Sequence, residues 1–91
     1  MNAEEAVLGS ILIDPDQIKN VYLAPEDFTG SNQTIFRAML ELSKDKKPID
    51  LVTLSSKVKN INLIKLTSSV PNSFDCSYYA EIVADEAYRR R

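Results

Sequence analysis

The side chains able to carry chemistry are few, and none stands in a catalytic pattern. The 91 residues contain no histidine, which removes the commonest general base, the His-dependent nucleophile triads and the usual nitrogen ligand of zinc. The single cysteine, Cys76, can complete neither a zinc site nor an internal disulfide. It sits near the expected start of a helix, where a dipole can activate a thiol, and a plain small side chain beside a cap is the competing reading. The two glycines, Gly9 and Gly30, are too isolated to build a phosphate-cradling loop, and no Gly-Lys-Ser or Gly-Lys-Thr occurs. Glu26 and Asp27 are adjacent carboxylates, but nothing beside them in sequence would split their proton affinities as an acid/base pair requires. A helical turn before Phe28 accounts for them. Thr53, Ser55 and Ser56 have no base partner and read as hydroxyls on a helix surface. Without catalytic or nucleotide-binding residues, the chain reads as a module that binds other proteins.

Lysines 44, 46, 47, 57, 59 and 65 concentrate positive charge in the middle of the chain. Residues 1–30 hold six acidic side chains against one lysine, and residues 31–70 hold seven basic against three acidic. Such polarity can join the acidic end of one copy to the basic middle of another, giving salt-sensitive self-association. Solvated helix faces are the plainer account. DNA binding is disfavoured by a pI of about 5.0, few arginines to read bases, and Asp45 and Asp50 within the run. Tyr78 and Tyr79 point about 100° apart on a helix, so one can enter the core while the other meets a partner; a half-exposed tyrosine on a monomer fits equally. Tyr78, Tyr88 and Arg89 are the candidate interface residues.

The elements that must position these residues are organised around residues 31–58. Ile35, Phe36, Met39 and Leu40, with Leu42 beside them, share one helical face. Pro48 pushes Lys47 out of the helical region, so this helix is expected to end there. Asp50 caps a second helix, with Ile49 stapled to Leu54 and the apolar face continuing through Leu51, Leu54 and Val58. Before this pair, Asn2 can cap a first helix burying Val7, Leu8, Ile11 and Leu12, with Glu4 and Glu5 at its positive start and Gly9 allowing close approach. Asp14-Pro15-Asp16-Gln17 predicts a second, short helix ending near Tyr22, with Ile13 and Ile18 as staple. Residues 23–30 form a loop anchored by Phe28.

After residue 58, Asn62 is a candidate cap for a short helix through Thr67, with Ile61 and Leu66 as staple. Residues 68–72 form a turn. Asp75, or Ser73 as rival, opens a last helix with Phe74 and Tyr79 as staple and Tyr79, Ile82 and Val83 inward, joined by Tyr78 or Ala87. That helix reaches Arg91 without a stop signal. The fold class is therefore all-α, a compact bundle of five or six short helices in one domain, 1–91. A 44% hydrophobic and 26% charged composition suits a globular domain. No run approaches the ~20 apolar residues of a membrane span. The acidic start is unlike a signal peptide, and one cysteine fits a reducing compartment, so a cytoplasmic location is expected.

Taken in order, five pieces resemble the N-terminal domain of bacterial and phage replicative DNA helicases of the DnaB type. They are EAVLGSIL at 5–12, PEDF at 25–28, IFRAM at 35–39, PIDLVTL at 48–54, and Val70-Pro71 followed by YYAEIV at 78–83. Thr29 and Gln33 stand where the family usually has an aromatic and often a histidine, and the segment from Lys59 to Leu66 lacks the usual glycine pair. The resemblance implies a non-catalytic collar domain of a hexameric ring. A helical hairpin that pairs subunits and docks primase would follow, then a RecA-like motor domain beyond residue 91. ATP and magnesium would belong to that motor, and DNA would be met only there. Implied partners are other helicase subunits, primase and a helicase loader, and no membrane. Two other readings stand beside it: a free-standing helical protein that binds a replicative helicase or its loader, and a small DNA-binding module.

Overall fold

Helix α1 (Ala3–Ile13) has almost no solvent side. Ala6, Val7, Leu8 and Ile11 are completely buried, and Gly9 and Ser10 lie between them in the interior. The sequence suggests a stripe; the fold instead makes α1 the axis on which α2 (Ser31–Lys44), α4 (Ile64–Thr67) and α5 (Cys76–Arg90) pack. A helix in that position has no face for polar groups, so each must be satisfied internally. Ser10 Oγ donates to the Ala6 carbonyl at 2.7 Å. Glu4 is buried as well, and its carboxylate reaches out of its own helix to the start of α2.

The computed structural model describes residues 3–59, 61, 63–67 and 76–90, which form five α-helices and two 3-10 segments without a strand. The all-α bundle expected from the sequence is what forms. The caps assigned to Asn2, Asn62, Ser73 and Asp75, the staple residue Phe74 and the turn at 68–72 lie outside the described residues.

Two local expectations change. Residues Pro15–Asn20 form a 3-10 segment ending before Tyr22. The Asp14 carboxylate takes the Gln17 side-chain amide at 3.2 Å and caps no backbone amide. Ile13 is half exposed while Ile18 is buried, so the staple partner is missing from the interior. Six residues cannot recover the cost of nucleating an α-helix without that packing, and i+3 bonds from Gln17 to Asp14 and from Val21 to Ile18 take over.

The second change is how α2 stops. It ends at Lys44, ahead of the residues restricted by Pro48. Lys46 adopts φ +58°, and its amide donates to the Ser43 carbonyl at 3.1 Å while that of Lys47 donates to Leu42 at 2.9 Å. These are the paired bonds of a Schellman turn, built on a lysine where glycine is usual. On α2 the buried face is Ile35, Phe36, Ala38, Met39 and Leu42, with Leu40 only partly covered. Phe28 anchors the preceding loop as expected, its ring stacked on Phe36 at 4.5 Å between centroids.

Helix α3 (Leu51–Lys57) starts as read from the sequence. The Thr53 amide donates to Asp50 Oδ1 at 2.9 Å, and the Asp50 amide donates to Thr53 Oγ1 at 3.0 Å. Ile49 before the cap and Leu54 inside the helix are both buried, as a staple requires. In α5 the buried positions are Cys76, Ala80, Val83 and Ala87, spaced i, i+4, i+7 and i+11 on one face. Tyr79 and Ile82, expected inward, are only half covered. Small side chains let α5 lie close to α1, which displaces the larger ones to the flanks.

The start of α2 shows what Glu4 does. Gly30 holds φ +55° and ψ −137° at the N-cap and offers no side chain to the free amides. The first-turn amides of Asn32 and Gln33 donate to the Thr29 and Gly30 carbonyls at 3.1 and 3.2 Å, while the Glu4 carboxylate ties down the residues on either side of Gly30. Its Oε1 takes the Thr29 amide at 2.8 Å and the Asn32 side-chain amide at 3.0 Å, and its Oε2 takes the Thr29 hydroxyl at 2.9 Å. The negative charge also lies at the favourable end of the α2 dipole.

These assignments predict stability changes at three positions, read as urea midpoints at constant m-value. Glu4→Ala costs about 2–3 kcal/mol, and Glu4→Gln roughly half of that because one acceptor remains. Lys46→Gly gains about 0.5–1 kcal/mol by relieving the left-handed lysine. Asp50→Ala costs about 1 kcal/mol through the lost cap.

Candidate protein interface

Cys76, Asp27, Thr53 and Ser56 are engaged within the fold, while Glu26 and Ser55 stand exposed. Cys76 is buried in the core, away from any substrate. Asp27 is buried, and its Oδ2 accepts the Ala24 amide at 2.9 Å, so the Glu26-Asp27 pair is a capped 3-10 turn at Pro25–Asp27. The Thr53 hydroxyl belongs to the α3 cap, and Ser56 Oγ donates to the Thr53 carbonyl at 2.8 Å. Among the described residues, no three of His, Cys, Asp or Glu gather as metal ligands. No helix among them is long and apolar enough to cross a membrane.

The charge polarity seen along the sequence does not survive folding. Of the acidic first third, Glu4 and Asp27 are turned inward and Glu5 pairs with Lys65 at 3.5 Å. Asp16 lies with Lys19, Lys46, Lys47 and Asp50 around one groove of about 520 Å³, floored by apolar side chains such as Leu12, Ile18 and Ile49. Lys57 is paired with Glu41 at 3.3 Å. The charges are therefore mixed in space, and no continuous basic stripe of the kind that tracks a phosphate backbone is formed by these lysines.

What remains is the outer side of α5. Tyr78 is 56% exposed and Tyr88 74%, and the Arg89 side chain is 77% exposed in an i, i+4 pair with Asp85 at 3.1 Å. The Tyr78 ring meets the half-covered Tyr79 edge-on, with centroids 5.4 Å apart. All three candidates lie on this side of the helix, divided between two ridges. Tyr78, Asp85 and Arg89 form one ridge at i, i+7 and i+11. Ser77, Glu81, Ala84 and Tyr88 form its neighbour at i, i+4, i+7 and i+11.

The second ridge also walls a groove of about 260 Å³, in which Ser77, Ala80, Glu81 and Ala84 face Tyr22 and Leu23. Tyr22 is 90% exposed. In the sequence Tyr22 marks the expected end of a helix and is not among the candidate interface residues. The available signal was an aromatic residue belonging to no apolar stripe. Exposed tyrosines are among the side chains that protein interfaces favour.

The family model described as DnaB-like helicase N terminal domain matches residues 1–85. The chain is 36% identical over its full length to the replicative DNA helicase DnaC of Bacillus subtilis (strain 168), of which it covers 23%. It is also 36% identical to the replicative DNA helicase DnaB of Geobacillus stearothermophilus, again covering 23% of that protein. The chain thus spans about a quarter of the length of these curated relatives.

Among solved structures, the crystal structure of the N-terminal domain of DnaB helicase from Mycobacterium tuberculosis superposes with a TM-score of 0.89 at 35% identity, covering 97% of this chain and 72% of that one. A structure of a DnaB-like replicative helicase and its interactions with primase gives 0.85 at 29% identity, covering 97% of this chain and 24% of that one. The resemblance carried by the five sequence pieces is borne out along nearly the whole chain. This chain belongs to the family of DnaB-like helicase N-terminal domains.

Proposed function

We propose that this domain is a non-catalytic assembly module of a replicative DNA helicase, and that its work is protein recognition through the outer side of α5. One observation carries the reading. Two tyrosines and an arginine, Tyr78, Tyr88 and Arg89, stand exposed along one helix. Exposed aromatic and arginine side chains are the residue types most often found to dominate binding energy.

Its partners are other helicase subunits in a hexameric collar, primase and a helicase loader. A relative of this fold has been studied for its interactions with primase, which supports the second of these. The ATP- and magnesium-dependent motor and the contact with DNA belong to a separate domain beyond residue 91, and the protein works in the cytoplasm. The free-standing alternative uses the same α5 surface, with the helicase itself as partner.

The test is binding of the purified chain to primase, to the loader and to a second helicase N-terminal domain. Tyr88→Ala and Arg89→Ala are expected to weaken at least one of these complexes by about tenfold or more. Val52→Ala, at an exposed position on α3, is expected to leave binding unchanged, and all three variants should keep the parent unfolding midpoint. If none of the three partners binds the parent chain, the proposal fails. Tight, salt-sensitive duplex binding in a gel shift would replace it with the DNA-binding reading.

A further inference from the structure

The last turns of α5 carry Tyr88 and Arg89, yet little of that segment is embedded in the domain. After Val83, Ala87 is the one buried side chain; Ala84, Asp85, Glu86, Tyr88, Arg89 and Arg90 are exposed. One methyl group gives these turns little apolar burial against the rest of the domain. A second tether is present. Arg90 Nη2 donates to the main-chain carbonyl of Asp27 at 2.9 Å across 63 residues of sequence.

The receiving carbonyl is itself held in place. The Asp27 side chain caps its own 3-10 turn at the Ala24 amide, Phe28 is stacked on Phe36, and Thr29 is bound by Glu4. A guanidinium donating to a carbonyl that cannot move makes a charge-assisted bond with little left to reorganise. Arg89, one residue earlier, has its exposed partner Asp85 on the same helix and no other among the described residues. Two neighbouring arginines of equal charge therefore have different tasks.

We infer that Arg90 is a positioning residue: its bond to the Asp27 carbonyl latches the end of α5 to the turn at Pro25–Asp27 and so sets how Tyr88 and Arg89 are presented. The recognition role of those two residues rests on the function proposed above. The latch itself can be measured without any partner.

The experiment compares amide hydrogen exchange and 15N relaxation in the parent chain, Arg90→Met, Arg90→Lys and Arg89→Met. Arg90→Met keeps the side-chain stem and removes the donor. It is expected to speed exchange of the α5 amides from Ala87 to Arg90 by about tenfold or more. Order parameters of the Tyr88 and Arg89 amides should fall from about 0.85 toward about 0.6. Exchange at Leu8, Phe36 and Leu42 should not change. Arg90→Lys, which retains one donor, is expected to restore part of the protection, and Arg89→Met to change it by less than about threefold.

Unchanged exchange in Arg90→Met would overturn the latch. Equal effects of Arg89→Met and Arg90→Met would reduce it to a general charge effect at a helix end. Faster exchange throughout the core would make Arg90 a residue of global stability instead. If the latch is measured but Tyr88→Ala binds every partner normally, the latch stands and the proposed recognition surface falls.

Discussion

The fold depends on a buried carboxylate. An axis helix such as α1, enclosed by α2, α4 and α5, has almost no solvated face, and an unpaired carboxylate buried in it would cost far more than the domain can spare. Glu4 is tolerated because Thr29 and Asn32 meet it with donors from main chain, hydroxyl and amide. In return it ties Thr29 and Asn32, on either side of the Gly30 N-cap, to the buried axis. Gly30 itself has a backbone conformation that side chains avoid. The burial of α1 and the placement of the α2 start are thus linked through one carboxylate.

This explains which parts of the fold can be read from sequence. The α3 start is legible because cap, box and staple all lie within residues 49–54, and local chemistry decides it. Phe28 is legible as an anchor because an aromatic residue in a polar loop has nowhere else to go. Glu4 is not, since an acidic residue in a first helical turn already has an adequate local explanation, and its partners stand 25 and 28 residues away. The Schellman turn was hidden because lysine occupies the left-handed position at residue 46. On α5, size patterning misleads. Alanines take the buried face for closeness to α1, and the bulkier Tyr79 and Ile82 are left at its edges.

The surface follows a similar division. That Tyr78, Tyr88 and Arg89 face outward follows from helical spacing once the inner face is known. The groove with Tyr22 does not, because it is made by residues 22–23 meeting α5, and no periodicity within either segment announces that meeting. The apparent charge polarity fails for a related reason. Net charge along a sequence records order, whereas a field depends on position, and burial, capping and pairing remove Glu4, Asp27 and Glu5 from the acidic side of the account.

The separation of stability from recognition has a physical basis in α5. Its inner face is built of Cys76, Ala80, Val83 and Ala87, so packing against α1 rests on short side chains with few rotamers to lose. None of the large outer residues is needed to fill the core, and the outer ridges can vary with little cost to the fold. An interface placed there can change its partner without disturbing Leu8, Ile11 or Phe36, which are fully buried elsewhere. The same economy leaves Ala87 as the buried side chain among the described residues after Val83. A bond from outside the helix adds to it, and the Asp27 carbonyl, already held by the turn and by Phe28 and Thr29 beside it, is a rigid place to attach one.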